Sequence, residues 1–566
     1  MSLNSALNIG RNALAVHQAA IQVTTNNIAN AGNPDYTRQT AQTSPNGDQQ
    51  LRPGMFVGTG VNLTSVQRQI DNALLARLRA ATSDNAGAHT AQAWLTRVES
   101  VFNALGTNGL SSQMSEFFNS WSKLAGSPQD LGLRQIVLTN GTNLSRSIQD
   151  VRRQLNGLRT DLDQRLEAQS SSADDLARRI ADLNGRIAVA EGGLSGQANG
   201  LRDQRDALIR QLSELMDVTT TTDGRVVNVF VGSQPLVLGT QSRGVQVQQT
   251  TGVAGVETTL VFKDDASVAI PVRGGELGGL LSARSTAMEI TQRLDGMTRS
   301  LIFELNKIHS AGQGLVGLSR VSGQNPVKDA NARLDSSLAG LPFPVSNGSF
   351  VVTITDNATG MSTSKLIRVE LAPGTPVPTS LNDLAAQIAD SQISATVAGG
   401  QLTIAAISPG HTISFSQDTS GVLAALGINT FFSGTDASNI TVNPMLANNP
   451  SLLAAAANGS PGDNQAAKAI ALLDTQPLSS AGGLTLRQVY DTMVSNIGAS
   501  ASAAKTVAEG TELVLQTLQG QREALSGVSL DEESINLIKQ QRAFQGAARV
   551  ISTVDELLQT VLNLVR

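Results

Sequence analysis

Apolar positions recur every three or four residues at both ends of the chain. At the front, Leu3, Leu7, Gly10, Leu14, His17, Ile21, Thr24 and Ile28 are spaced 4-3-4-3-4-3-4. At the back, Leu537, Gln540, Phe544, Ala547, Ile551, Val554, Leu558, Val561 and Val565 are spaced 3-4-3-4-3-4-3-4. A 3.5-residue repeat turns one stripe of a helix toward a partner helix and buries it as knobs into holes. A lone helix of this kind cannot bury its stripe and stays marginal in water. The two segments therefore pair with each other or wait for another subunit. Either way they read as assembly elements.

Between them the period changes several times. A polar break, Asn-Ala-Gly-Asn-Pro-Asp at 30–35, ends the first helix, because Gly and the residue before Pro both disfavour its continuation. A Gly/Pro/Asn-rich stretch to about Gly60 reads as a loop. Residues 71–216 read as helix, most clearly at Leu144, Ile148, Val151, Leu155, Leu158 and Leu162, as in long antiparallel helices of a bundle. From Asp223 the period is two, with strands expected at 227–231, 245–247 and 258–262. Helix returns over 276–309. A second β-rich region follows at 343–442, with strands at 350–354, 365–369 and 401–404 and one short helix at 381–388. Helix resumes from Asn464 to the end.

This order predicts an α+β multidomain protein with a discontinuous helical stalk, coiled coil or bundle, formed by both termini and carrying inserted β-rich domains. The expected division has terminal coiled-coil assembly helices at 1–45 and 526–566. A helical bundle domain takes 46–222, 276–312 and 461–525. A small β-rich subdomain spans 223–275, and an outer β-rich domain 313–460. A length of 566 residues fits several cores rather than one.

Composition narrows the classes. Aromatic residues are only 3% of the chain, which favours packing through small and aliphatic side chains over a deep aromatic pocket. The net charge is −5 and no basic stripe is present, which argues against nucleic acid and against an anionic membrane surface as partners. The absence of cysteine removes disulfides, thiol catalysis and cysteine metal sites together. Residues 1–22 lack the basic start and continuous apolar core of a secretory signal peptide. No run of 18 apolar residues occurs, so no membrane span is expected. Export, if it occurs, would use a route other than a cleaved signal.

The chemistry-bearing residues do not converge. His17, His89, His309 and His411 are scattered, without an i,i+4 partner, and no metal site or cofactor is expected. His17 sits on the first stripe, as a packing residue with a polar edge whose titration near neutral pH would tune association. Gly312-Gln313-Gly314-Leu315-Val316-Gly317 matches G-x-G-x-x-G but follows a helix instead of opening one, so it reads as a C-cap and loop. Acidic pairs such as Asp174-Asp175 and Asp531-Glu532-Glu533 read as solvated faces and favourable charge at a helix start. Ser529-Leu530-Asp531-Glu532 has capping-box spacing and would set where the last helix begins. No catalytic residue is named. A secreted enzyme on a scaffold would need a constellation within 313–460, where His411 with Asp418 is the one faint candidate.

The segment Asn26-Asn27-Ile28-Ala29-Asn30-Ala31-Gly32-Asn33-Pro34-Asp35-Tyr36-Thr37-Arg38 closely resembles the N-N-I-A-N-x-x-T-P-G-Y-x-R signature of bacterial flagellar rod, hook and hook-associated proteins. It departs at Asn33 and Asp35. Gly58-Thr59-Gly60-Val61 with Arg68, Asp71 and Leu75 is similar to the hook-associated protein 1 (FlgK) family. So are Gly279 to Arg284 with Asn306, His309 and Gly312, and Ala425 to Gly434. Ser526 to Glu533 with Asn536, Leu537, Ile538, Gln541 and Phe544 completes the likeness, Phe544 standing where Tyr is frequent.

The resemblance implies an exported structural subunit at the junction of flagellar hook and filament, outside the cell. Its implied partners are the hook protein, the second junction protein, copies of itself, and a cytosolic export chaperone on the C-terminal helix. The expected assembly interface comprises the stripe residues Leu3, Leu7, Leu14, Ile21, Ile28, Leu537, Phe544, Ile551, Val554, Leu558, Val561 and Val565, together with Asn26, Asn27, Asn30, Tyr36 and Arg38 of the signature. Another axial subunit, hook or filament protein, is the alternative. Backbone ordering costs about 1–2 kcal/mol per residue and nearly cancels the burial of each stripe, so the termini are expected to order only in the assembly.

Overall fold

The computed structural model describes residues 3–103, 109–193, 196–252, 255–372, 378–460 and 462–564. The chain runs α1 (Leu3–Ala29), β1 (Gln39–Pro45), β2 (Gln49–Arg52), β3 (Met55–Val57), β4 (Val61–Arg68), α2 (Asn72–Asn103), α3 (Leu110–Gly126), α4 (Leu131–Ala190) and α5 (Asn199–Leu215). Six strands follow: β5 (Val218–Asp223), β6 (Val226–Val231), β7 (Gln234–Leu238), β8 (Gln241–Ser242), β9 (Val245–Gly252) and β10 (Gly255–Phe262). After α6 (Gly275–Ser310) come β11 (Arg320–Ser322), β12 (Gly348–Asp356), β13 (Ser362–Val369), α7 (Leu381–Ile388), β14 (Ile393–Ala398), β15 (Gln401–Ala406) and β16 (His411–Ser416). The remainder is α8 (Val422–Leu426), β17 (Phe432–Ser433), β18 (Thr441–Val442), α9 (Pro444–Asn448), α10 (Gln465–Leu472), α11 (Leu486–Ser526) and α12 (Leu530–Leu564). The fold is α+β and multidomain, with terminal helices that pack on each other.

The chain divides into two units. One holds residues 1–94, 161–284 and 502–566; the other holds 95–160 and 285–501.

In the first unit, buried polar side chains fix the strands to the helices. Asn184 of α4 is fully buried; its Nδ2 donates to Val227 O (2.8 Å) and Gly239 O (2.7 Å), and its Oδ1 accepts from Val227 N and Arg205. Asp174 accepts from Val245 N and from Lys263 Nζ at 2.6 Å, which pins the β9–β10 hairpin. Arg284 pairs with Asp163 at 2.5 Å. Strands β5-β6-β7-β8 form an antiparallel sheet whose β6 alternates half-buried and buried positions, the signature of one face on a core.

The stretch to Gly60 that reads as a loop is instead a two-stranded ribbon. Strand β1 pairs antiparallel with β4 from Gln39↔Arg68 to Pro45↔Val61, with a register shift between Gln42 and Thr43. Both faces are largely polar, Gln39-Thr40-Ala41-Gln42-Thr43 against Asn62-Leu63-Thr64-Ser65, so no apolar alternation marks the strands.

The second unit has an aromatic and aliphatic core. Phe350, Val352 and Ile354 point inward from β12, the centre of the β13-β12-β16 sheet, while Thr353 and Thr355 on the other face bond Ser364 and Ser362. The expected helix at 381–388 is α7, opened by a capping box between Ser380 and Asp383. Two segments singled out separately in the sequence meet here. Asn306 of α6 accepts from the backbone N–H groups of Phe431 and Phe432 and donates to Phe432 O. His309, fully buried, hydrogen-bonds Asn429 O through Nδ1 and accepts from Ala454 N through Nε2. Asn429 takes a left-handed conformation (φ 53°), and its amide donates to the carbonyls of Ser310 and Gly312, which closes the end of α6. The Gly312–Gly317 segment is thus a helix end and loop. Arg134 is buried beside this joint, its partners among the described residues being the carbonyls of Pro128 and Leu453, and burial pulls its pKa down to about 10.

Candidate assembly site at the paired termini

Helices α1 and α12 pack antiparallel, with partners that advance along one helix and retreat along the other. Asn27 meets Glu533, His17 meets Gln540, and Gly10 meets Ile551. A Cβ added at Gly10 would lie 2.8 Å from Ile551 Cγ1, so the glycine is what lets the two backbones approach.

On α12 the inner face carries the heptad positions: Ala547 and Val554 are buried, and Leu537, Gln540, Phe544, Ile551 and Leu558 are half-buried. Val561 is 47% exposed, beyond the covered stretch, and Val565 lies outside the described residues. On α1 the buried positions are Gly10, Val16, Ala20, Thr24 and Asn27. Leu3, Leu7, Leu14, His17, Ile21 and Ile28 are half-buried along the same helix. Apart from Val16, small and polar side chains thus occupy the deepest part of α1, with the larger aliphatic residues beside them.

The signature segment forms a polar knot at one end of the pair. Asn27, 1% exposed, uses its whole amide: Nδ2 donates to Gln39 O (2.9 Å) and Glu533 Oε2 (3.0 Å), while Oδ1 accepts from Tyr36 Oη (2.7 Å) and Gln39 N (3.0 Å). Tyr36 Oη in turn accepts from Asn26 Nδ2 at 3.1 Å. Burial, with the charges of Asp203 and Glu533, pushes the Tyr36 hydroxyl up to about 12, so it stays a donor. Arg38 reaches Glu533 through Nε (2.9 Å) and a terminal nitrogen (2.7 Å), and Glu532 at 2.9 Å. Its backbone N–H donates to Ser526 O, which ties the knot to the α11–α12 junction. Asn30 caps locally, donating to Asn26 O at 2.9 Å.

The start of α12 follows from the same network. Ser529 Oγ accepts from Glu532 N at 3.4 Å, but the Glu532 carboxylate turns to Arg38 instead of back to the cap. The expected capping box is therefore half formed, because a guanidinium competes better for that carboxylate than a backbone N–H does. The Asp531-Glu532-Glu533 run does more than favour a helix start, since Glu533 is buried and paired. The two departures from the signature are also accommodated. Asp35 has no positive φ; its carboxylate pairs with Arg210 at 2.5 Å, and its N–H donates to Asn33 Oδ1.

The alternative catalytic pair does not assemble. Asp418 accepts from the N–H groups of Ser420, Gly421 and Leu423 and from Ser420 Oγ, capping the turn before α8, and no bond to His411 is present among the described residues. No group of three His, Asp or Glu side chains with metal-site geometry occurs among the described residues.

Residues 95–325 match the model of the flagellar hook-associated protein FlgK helical domain, and residues 521–564 match that of the flagellar basal body rod FlgEFG protein C-terminal region. Flagellar hook-associated protein 1 of Escherichia coli K12 is 26% identical over 585 residues, covering 99% of this chain and 100% of that protein. The protein of the same name from Bacillus subtilis 168 is 25% identical over 595 residues, covering 98% and 97%. The structure of the flagellar hook junction protein FlgK from Burkholderia pseudomallei covers 80% of this chain and 100% of that one at 19% identity, with a TM-score of 0.49. The paired termini and the sequence matches define a structural protein of the bacterial flagellum. Within that class, the chain is similar over almost its whole length to the flagellar hook-associated protein 1, or FlgK, proteins.

Proposed function

We propose that the chain is a structural subunit joining flagellar hook to filament, which assembles through its terminal helices. One observation carries this: α1 and α12 pair in a single chain through a seam that leaves Ile535, Ile538, Leu557 and Leu562 at 49–68% exposure on α12. Apolar surface of that kind marks an interaction site. The interface residues are the stripe positions of both helices with Asn26, Asn27, Asn30, Tyr36 and Arg38, the last five fixing how the pair is held. Segments 1–45 and 526–566 act as the assembly module; 46–222, 276–312 and 461–525 form the helical body, with 223–275 and 313–460 as its β-rich insertions.

The partners in this reading are the hook protein, the second junction protein and further copies of the chain. A cytosolic chaperone covers the outer face of α12 before export, and the chain leaves through the flagellar export channel without a cleaved signal. The role is structural, with no catalysis. No helix among the described residues is long and apolar enough to cross a membrane.

Purified chain added to isolated hooks, followed by electron microscopy of the tips, tests the proposal. Saturation as one short ring is expected. Continued growth into a tube would make it a hook or filament subunit, and no binding would remove the terminal pair as the assembly site.

A further inference from the structure

Eight Asn-Gly pairs occur along the chain. In such a pair the backbone nitrogen of the glycine can attack the asparagine side-chain carbonyl, since no Cβ crowds it. The attack needs a glycine N–H that is not held in a hydrogen bond and an asparagine side chain free to turn. Most of the pairs are denied one or both. Asn140, Asn156 and Asn184 lie inside α4, where the next N–H donates along the helix. Asn199 is buried, with Nδ2 on Val66 O. Asn347 and Asn458 have their Oδ1 atoms engaged by Leu371 N and Ser460 N. Asn108 lies outside the described residues.

Asn46-Gly47 is different. Asn46 N donates to Gly60 O (2.9 Å), and Thr59 Oγ1 donates to Gly47 O (2.7 Å), so the main chain on both sides is held. Neither reacting group is held: the Asn46 side chain and the Gly47 N–H make no hydrogen bond among the described residues. Gly47 is exposed, its φ is not positive, and nothing lies within 4 Å of where a Cβ would stand.

We propose that Asn46-Gly47 is a self-modification site, at which the chain converts its own asparagine to an isoaspartyl link without an enzyme. The Gly47 nitrogen gives its proton to solvent base and bonds to Asn46 Cγ. The Asn46 Nδ2 group takes a proton back and leaves as ammonia. Water then opens the five-membered imide. Opening at Cγ leaves aspartate. Opening at the Asn46 main-chain carbonyl leaves isoaspartate, with the chain running through Cβ and Cγ.

Isoaspartate adds one main-chain atom between the Asn46 N–H and the Gly47 carbonyl. Their bonds join the β1–β4 ribbon to the β2–β3 hairpin, which pairs beyond them from Gln49↔Val57 to Arg52↔Met55. Once the spacing between them changes, both cannot keep their partners, and the hairpin is uncoupled from the ribbon. That hairpin carries Leu51, Met55 and Phe56 at 44%, 54% and 61% exposure. The modification therefore loosens the aim of an apolar tip as the chain ages.

Full-length chain held in mildly alkaline buffer tests this. Mass spectrometry reads each Asn-Gly peptide at intervals, separating aspartyl from isoaspartyl forms, and each rate is divided by that of the same site in denatured chain. Conversion at Asn46 is expected to be at least about tenfold faster than at Asn140, Asn156 or Asn184, which need local unfolding of α4 first. Equal rates in the folded chain would overturn the site. Gly47→Ala, for which the structure has room, should slow conversion at Asn46 severalfold. An unchanged rate would remove the Gly47 nitrogen as the attacking group. Hydrogen exchange then compares fresh chain with the isoaspartyl form. Faster exchange confined to residues 46–60 is expected, and an unchanged pattern would overturn the uncoupling.

Discussion

The terminal pair and the core of the second unit solve the same problem with opposite materials. The core joint stacks large rings: Phe431 lies 5.4 Å from Trp121 and 4.7 Å from Phe432, with both phenylalanines fully buried. The terminal pair is seamed by Gly10, Ala20, Thr24, Asn27, Ala547 and Val554, and it keeps Ile538 and Leu557 in water. A seam of small residues buries little apolar area, so it cannot supply the burial that the core does. Its specificity comes instead from hydrogen-bonded and charged groups concentrated at Asn27, Arg38 and Glu533. A region that must accept neighbours keeps apolar surface free, while a region that must only fold consumes it.

The comparison breaks most severely in the core. Phe431→Ala should cost about 3–5 kcal/mol, because the void is lined by Phe117, Trp121 and Phe432, which cannot collapse into it. Denaturant unfolding of the full chain should show this loss in the transition of the second unit, and assembly through the termini should persist under conditions where that unit still folds.

Arg38→Ala should rank just below, at about 3 kcal/mol in the first unit. The substitution leaves Glu533, with a side chain 3% exposed, as a buried carboxylate whose remaining polar partner is Asn27. Glu533→Gln alongside Arg38→Ala should recover part of the loss, since a neutral amide needs no counter-charge. A double-mutant cycle measured by urea denaturation checks it, and additive losses would show that the pair is not coupled.

Acid should separate the units as well. Burial holds His309 down to about 4, below its ordinary value of about 6.5. The unfolded chain therefore takes up a proton at a pH where the folded chain does not. The stability this residue contributes is complete above pH 6.5 and declines as the pH falls toward 4, by up to about 3 kcal/mol. Stability of the second unit, measured from pH 7.5 to 4.5, should fall along this slope, and His309→Gln should flatten it.

The sequence revealed α12 better than α1 for a physical reason. On α12 the inward positions are mostly aliphatic or aromatic, so a hydrophobic repeat finds Leu537, Phe544, Ile551 and Leu558 directly. On α1 the deepest positions other than Val16 are small or polar, and only Gly10 and Thr24 of the apolar repeat coincide with buried positions. The β1–β4 ribbon escaped because polar residues occupy both faces. Asn306 and His309 were visible as residues, but their partners lie some 120 positions away, beyond the reach of any local period. Glu533 was legible as helix-start charge and not as the partner of Arg38, since nothing local distinguishes a solvated carboxylate from one closed over by a guanidinium.

The smallest change in the free chain should accompany the largest change in assembly. Leu558 is half-buried near the end of α12, where Val561 is already 47% exposed. Leu558→Asp therefore removes only part of one side chain's burial, and its effect on unfolding of the isolated chain should be about 1 kcal/mol or less. In an assembled wall the same position would be closed over by neighbouring helices, and a carboxylate there would have no cation to meet it. A soluble, folded chain that no longer adds to isolated hooks is the expected result. Undiminished binding would move the assembly contact off the α12 stripe, leaving the α1 stripe and the signature residues around Asn27 as the candidates.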